Sequence, residues 1–357
     1  MNFDGYFGNS RTVNLLRGMV AQGRLPQTLL FSGPSGVGKA TAARLLAAAA
    51  NCEQGPGEDT CGICSNCRRM TETDLSNDST QQLFLERSKM TAAKRVENPL
   101  IVSTHPDLLV FPPDGPLQMI TIEQARRLKE SARFGPSEGR WRFFVVDHAD
   151  RANEEAANSL LKTLEEPAPN LTIVLTAENP YDLLPTILSR SIPFHFGPLS
   201  QEEMNGFFST RSDIDPSEYK RLSGWAQGSP GQAVSLDVET YVRRREAVLI
   251  LIGVAVRENK FIDLLPATES LSRRGSEPLS AIVDSLYGLL QDITHCKLGR
   301  DVVINSDEVD RISQLARKVS FRWIEKAMFE VDEIRRLERR NVQKQIALES
   351  LTLSLRS

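Results

Sequence analysis

One glycine-rich loop constrains this chain more than any other feature. Gly33-Pro34-Ser35-Gly36-Val37-Gly38-Lys39 lies between a short apolar run, Thr28–Ser32, and an Ala- and Leu-rich run, Lys39–Ala50. A strand that turns through glycines into a helix is the context a phosphate-binding P-loop requires. Gly33, Gly36 and Gly38 let the backbone wrap a phosphate, the amides at the helix start point at it, and Lys39 neutralises its charge. A glycine turn with an accidental lysine explains none of the flanking pattern. Further on, Arg142–Asp147 reads as a second buried strand and Glu154–Glu165 as a helix ended by Pro167. Leu171–Thr176 reads as a third strand. Such alternation predicts an α/β domain with a mainly parallel sheet.

The loop is complete in shape and incomplete in chemistry. After the lysine a P-loop carries Ser or Thr, whose hydroxyl binds Mg²⁺, and here stands Ala40. Thr41 is rotated about 100° further around the helix and does not substitute. Val145-Val146-Asp147 ends an apolar strand as a Walker B motif does. Where AAA+ ATPases follow that aspartate with a water-activating glutamate, this chain has His148. A histidine can act as a base, but here it reads as filling a vacated position. Two defects in one site predict poor hydrolysis or none. Lys39, the glycines and Asp147 still permit weak nucleotide binding, and whether ATP binds is left open.

Four of the five cysteines, Cys52, Cys61, Cys64 and Cys67, are clustered. In a reducing compartment such a cluster means metal more often than disulfides. Four thiolates suit Zn²⁺, which takes four protein ligands at structural sites and then has no position left for a reacting water. Free thiols in a loop containing Glu53, Gln54, Glu58 and Asp59, or a redox pair, fit the spacing less well. Cys296 stands apart and reads as a small buried hydrophobe.

Thr71–Thr104 opens with Thr, Asp, Ser and Asn and reads as an insertion or flexible excursion with a short helix around Gln81–Lys94. Ser200–Val238 reads as a small helical unit with a Gly-Ser-Pro-Gly turn at Gly228–Gly231. Beyond it the chain is helical, over Arg243–Val256, Pro278–His295, Ser306–Val319 and Ile324–Leu355. The predicted divisions are therefore a core over 1–197, a helical lid over 198–238 and an all-α domain over 239–357. A net charge of −3 across 357 residues gives no global basic field, so any nucleic-acid contact must be a local patch. The longest apolar stretch, Ala247–Val256, is too short to span a bilayer. The first residues show no basic start and apolar run. The expectation is a cytoplasmic protein without membrane contact.

Together these motifs resemble the bacterial DNA polymerase III clamp-loader family of AAA+ proteins, in its gamma/tau and delta-prime forms. The zinc spacing after the P-loop helix is similar. So are Leu25–Phe31 before the loop, His105-Pro106-Asp107, and Ile120–Arg126. The most specific run is Ala157–Pro167, containing Leu160-Leu161-Lys162-Thr163-Leu164-Glu165-Glu166-Pro167. Ser189-Arg190-Ser191 is similar to the family's Ser-Arg-Cys signature, with Ser191 in place of the cysteine. Asn341-Val342 and Ala347-Leu348-Glu349 resemble its closing helix. The resemblance is close over 1–235, apart from the insertion at 71–104, and thin beyond.

The resemblance implies a P-loop core with a zinc module at 52–67, then a helical lid, then a helical collar that assembles with equivalent domains. Motor subunits carry an arginine in a Gly-Ser-x-Arg lid turn, and here that place is Gly231. With Ala40 and His148 this third loss sorts the chain with the delta-prime form, which keeps an arginine finger, here Arg190, for the adjacent subunit. Implied partners are the gamma/tau and delta subunits and, through the complex, the sliding clamp and primer-template DNA. The chain would then be a component of a DNA polymerase holoenzyme without catalysis of its own. An active gamma/tau-type ATPase would need Ser or Thr at 40 and Glu at 148. A zinc-bearing P-loop kinase or repair factor leaves Leu160–Pro167 and Arg190 unexplained. Arg126, Arg127, Lys129 and Arg133 form either a DNA-facing patch or a solvated helix face.

Overall fold

Strands that are buried along their whole length, mostly apolar, need cover on both faces, and the chain uses such runs as the inner strands of one sheet. The computed structural model describes residues 2–55, 57, 59–165, 168–273, 277–301, 304–337 and 343–356. Six strands, β1 (Thr28–Ser32), β2 (Val102–His105), β3 (Leu108–Phe111), β4 (Arg142–Val146), β5 (Leu171–Ala177) and β6 (Ile192–His195), lie in the order β2-β3-β4-β5-β1-β6. All neighbours are parallel except β2, which runs antiparallel to β3. Every residue of β1 and β5 is buried. The edge strands β2 and β6 are short and partly exposed, and β6 carries Pro193, which only an edge tolerates well. Their brevity and exposure are why no apolar run announced them.

Successive side chains of a strand point to opposite faces, and two cores follow from that. One face gathers Leu29, Phe31, Phe143, Val145 and Val174 under α1 (Ser10–Ala21) and α2 (Lys39–Ala50). The other gathers Leu30, Phe144, Val146, Ile173 and Leu175. Helices α3 (Ser65–Glu72), α4 (Asp78–Ser88) and α5 (Ala92–Glu97) follow α2. Then come α6 (Ile122–Ser131), α7 (Glu154–Glu165) and α8 (Pro185–Leu188), whose Leu128, Leu160 and Ile187 cover the second face.

The segment 71–104 is a folded element rather than an excursion. Its polar residues are caps. Asn77 accepts the Thr80 amide at 2.8 Å, and Thr91 caps α5. It is docked by a buried ion pair in which Arg87 Nη2 lies 2.5 Å from Asp114 Oδ2, while Arg87 Nη1 donates to Asn98 O at 2.8 Å. Where one helix is predicted around 81–94, a break at 89–91 makes two. The expected end of α7 at Pro167 lies outside the described residues.

The chain divides into two compact units, 1–210 with 228–232, and 211–227 with 233–357. The later helices are α9 (Gln201–Ser209), α10 (Tyr219–Trp225), α11 (Pro230–Ser235), α12 (Val238–Ala255), α13 (Leu264–Ser272), α14 (Leu279–Lys297), α15 (Val309–Lys318), α16 (Phe321–Leu337) and α17 (Lys344–Arg356). In the second unit α12 to α17 share one apolar core that includes Val248, Val283, Ile293, Ala327 and Leu348. Buried Arg245 holds Asp307 through two hydrogen bonds of 2.7 Å and lies over the stacked rings of Trp225 and Tyr241. The α13 helix was hidden by Pro266, which its first turn accommodates because that amide has no helical acceptor. Where one helix is predicted over 324–355 there are two, and Asn341-Val342 lies outside the described residues. Among the described residues, no helix is long and apolar enough to cross a membrane.

Candidate functional site

The sheet register sets the site. Ser32 pairs with Ala177 and Val146 with Leu175, so β1, β4 and β5 end together. The residues that follow β1 and β4 therefore meet at one edge. These are the P-loop and Asp147.

The loop must be glycine for reasons of space. Gly33 has φ 145°, and a Cβ there would lie 1.9 Å from Phe196 O. Gly36 has φ 76°, and a Cβ there would lie 2.8 Å from the Gln232 amide nitrogen. The Gly231 amide donates to Gly36 O at 2.8 Å, and the Tyr6 hydroxyl donates to Val37 O at 3.3 Å. The loop is thus braced by its own chain. Gly38 starts α2, and Lys39 is buried with its Nζ donating to Gly33 O at 2.6 Å and Pro34 O at 2.7 Å. Burial pulls the lysine below its ordinary pKa, and the charges of Glu178, Asp147 and Asp150 partly offset this.

The five residues expected to cradle phosphate, Gly33, Gly36, Gly38, Lys39 and Asp147, are brought together. Ala40 offers no oxygen. Thr41 Oγ1 is engaged by Arg44 Nη2 at 3.2 Å. Asp147 Oδ1 accepts from Thr176 Oγ1 at 2.6 Å, and that hydroxyl also accepts the His148 amide at 2.9 Å. His148 is left-handed, with φ 51°, and its Nδ1 lies 3.5 Å from Glu178 Oε1. Thr176, Glu178 and Tyr6 complete the site and were not singled out from sequence, since none belongs to a phosphate motif.

At the other end of α2 the four cysteine sulfurs lie within 4.8 Å of one another, with Cys61 and Cys67 at 3.9 Å. A tetrahedron with Zn–S bonds of about 2.3 Å has edges of about 3.8 Å, so these residues fit a tetrahedral metal ion. The amides of Cys64 and Cys67 donate to the sulfurs of Cys61 and Cys64, each at 3.4 Å. Backbone hydrogen bonds from Cys64 and Ile63 lower the Cys61 thiol to about 6, which favours the thiolate a metal needs. Burial pushes the Cys67 thiol up.

Two asparagines tie this cluster to the sheet. Asn51 Oδ1 accepts the amides of Arg140 and Trp141 at 2.7 and 2.9 Å. Asn66 donates to Asn51 O at 3.1 Å and meets His105 Nε2 at 3.0 Å. His105 Nδ1 accepts the Asp107 amide at 3.1 Å, so its Nε2 carries the proton toward Asn66. Burial and then the charge of Arg69 lower the His105 pKa, and the neutral ring serves this bridge. Asp107 in turn accepts the amides of Ser137, Glu138 and Gly139.

Arg190 stands elsewhere. It precedes β6, whose first residue, Ile192, pairs with Leu29 while His195 pairs with Ser32. Arg190 is therefore at the N-terminal end of the parallel strands and the P-loop at their C-terminal end. That separation is about 10 Å of strand. Its Nη2 lies 2.9 Å from Glu165 Oε1, and its Nη1 donates to Thr186 O at 3.0 Å.

An α/β core with a P-loop at this sheet edge, followed by helices, defines a protein of the AAA+ class. The chain belongs to the family described as DNA polymerase III, delta subunit, which matches over residues 8–200. The sequence resemblance to the clamp-loader family is thereby borne out. The chain is 30% identical over 239 residues to DNA polymerase III subunit tau of Escherichia coli, covering 66% of this chain and 32% of that protein. It thus spans about a third of the length of such tau relatives. It is 27% identical over 349 residues to the delta' subunit of Bacillus subtilis, covering 97% and 95% of the two chains. A solved gamma subunit-related protein of Thermotoga maritima aligns over 97% of this chain and 98% of its own at 16% identity and a TM-score of 0.42, too low to bear on the assignment.

Proposed function

We propose that this chain is the delta-prime subunit of a DNA polymerase III clamp loader, an ATPase-defective AAA+ protein that supplies Arg190 to the ATP site of an adjacent gamma/tau subunit. The observation that carries this reading is the separation of the two chemistries. Lys39 and Asp147 sit at one end of the strands, with Ala40 where the magnesium hydroxyl would be and His148 where the motif's glutamate would be. Arg190 sits at the other end, where it is out of reach of its own loop. A guanidinium is permanently charged and engages two phosphate oxygens at once, which suits a finger given in trans. The match along nearly the whole B. subtilis delta' chain supports the same assignment.

In this reading residues 1–197 form the AAA+ core, 198–238 the lid and 239–357 the collar that assembles with the gamma/tau and delta subunits. The clamp and primer-template DNA are met through that complex, in the cytoplasm. Cys52, Cys61, Cys64 and Cys67 would hold a structural Zn²⁺, which crosslinks the loop after α2. ATP binding at the degenerate loop is not required. The isolated wild-type chain, given Mg²⁺ and ATP, should show no turnover above background and should be retained by immobilised gamma/tau and delta subunits. Robust magnesium-dependent hydrolysis by the chain alone would instead favour an active gamma/tau-type ATPase.

A further inference from the structure

The guanidinium of Arg190 is not free in solution. Nη1 donates to Thr186 O at 3.0 Å and to Ser189 Oγ at 3.4 Å, and Nη2 meets Glu165 Oε1 at 2.9 Å. Nε and one hydrogen of Nη2 have no partner among the described residues. A guanidinium presents its donors as forks that match phosphate, so this arrangement spends one edge on the chain's own acceptors and keeps donors for a ligand.

Glu165 is an odd choice for its place unless it serves that arginine. It is the last described residue of α7, in the C-terminal half of the helix, the half whose dipole disfavours a carboxylate. The facing guanidinium compensates it. The pair is half-open to water, with side-chain exposures of 36% for Arg190 and 47% for Glu165. The docking pair Arg87–Asp114 is sealed, at 7% and 6%. An exposed pair is weak and exchangeable, and a more highly charged phosphate group can draw the arginine from it.

We infer that Glu165 is a positioning residue for Arg190. Its carboxylate narrows the arginine to one arrangement before the neighbouring subunit's triphosphate arrives, and yields when it does. This rests on the reading of Arg190 as a finger in trans.

The test uses the reconstituted clamp loader with clamp and primed DNA. Glu165→Ala should lower the Arg190-dependent part of the stimulated ATPase kcat (the part lost in Arg190→Ala) by about two- to fivefold, the scale of an exposed ion pair, with KM for ATP unchanged. Glu165→Gln, which keeps a hydrogen-bond acceptor, should recover part of the loss. In an Arg190→Ala background Glu165→Ala should cost nothing further, because residues acting as one unit are non-additive. Equal losses in both backgrounds would make Glu165 merely structural and overturn the inference. So would an unchanged kcat for Glu165→Ala while Arg190→Ala is slow. If Arg190→Ala itself is as fast as wild type, the finger reading fails, and this inference with it.

Discussion

Helix α2 carries a phosphate-type loop with two departures from its motif at one end and a convergent cluster of four cysteines at the other. Its twelve residues, Lys39–Ala50, separate them by about 18 Å. At the N-terminal end the backbone of a phosphate loop is complete, while the side chains at 40 and 148 that would make it an enzyme are Ala and His. At the C-terminal end all four thiols converge. The difference is physical. In the loop, shape and chemistry reside in different atoms. Gly33 is confined by the carbonyl of Phe196, and Lys39 is packed against the loop's own carbonyls, so the chain itself braces the loop's shape. In the cysteine cluster the same four sulfurs provide both the fold of the loop and the chemistry. On this view the loop would keep its form if its chemistry were lost, and the cysteine cluster would not.

The strongest way to break this contrast is to remove one thiolate. Cys67→Ser should lower metal content from about one zinc per chain to a small fraction. It should also destabilise the core by an amount on the order of several kcal/mol, because metal binding and local folding are coupled. A metal-free chain with the wild-type denaturation midpoint would show that the cluster is only four thiols. The opposite repair sharpens the contrast from the other side. Ala40→Ser with His148→Glu should tighten Mg-ATP binding by about tenfold, near 1.4 kcal/mol, as read by calorimetry. Turnover should stay low, because Gly231 stands where a lid arginine is needed.

A smaller effect is expected at Lys39. In an ATP-binding loop this lysine serves the phosphates, whereas here it is a buried charge held by two loop carbonyls and by the charges of Glu178, Asp147 and Asp150. Lys39→Met should leave stability at neutral pH within about 1 kcal/mol of wild type. The pH dependence has a definite sign. Burial depresses the folded-state pKa, so the unfolded chain binds this proton more tightly. The charged lysine therefore subtracts stability at neutral pH and returns it as pH rises from the depressed folded value toward about 10.4. Denaturant midpoints of wild type relative to Lys39→Met should rise over that window. A pH-independent loss of more than about 2 kcal/mol in Lys39→Met would mean that the ammonium holds the loop together.

Much of this was legible in the residues, and the remainder has identifiable causes. Of the inner strands, β1, β4 and β5 are mostly apolar runs that the pattern marks, while β3, four residues long, escapes it; α2 and α7 fall where the pattern puts them. The edge strands β2 and β6 were hidden by their brevity and by Pro193. The polar opening of 71–104 looked like a loop because helix caps and loop residues are the same residues, as Asn77 and Thr91 illustrate. Motif spacing brought Gly33, Lys39 and Asp147 together, and the cysteines likewise. The supports were not legible. Asn51, Asn66, Thr176 and Glu165 act through contacts up to 90 residues away in sequence, and no local pattern encodes such contacts.

The central claim is that the chain's catalytic contribution leaves through Arg190 rather than through its own loop. Arginine fingers are worth roughly 10³–10⁵ in rate in GTPases, and one of several ATP sites would lose its finger here. The direct measurement is the clamp- and DNA-stimulated ATPase of a reconstituted complex carrying Arg190→Ala, with assembly and zinc content checked to match wild type. The expected result is turnover below wild type, by up to about twofold if the sites fire independently and by more if they are coupled, with poor rescue by Arg190→Lys and slower clamp loading. Wild-type turnover and loading in the alanine complex would contradict it and leave the chain a scaffold.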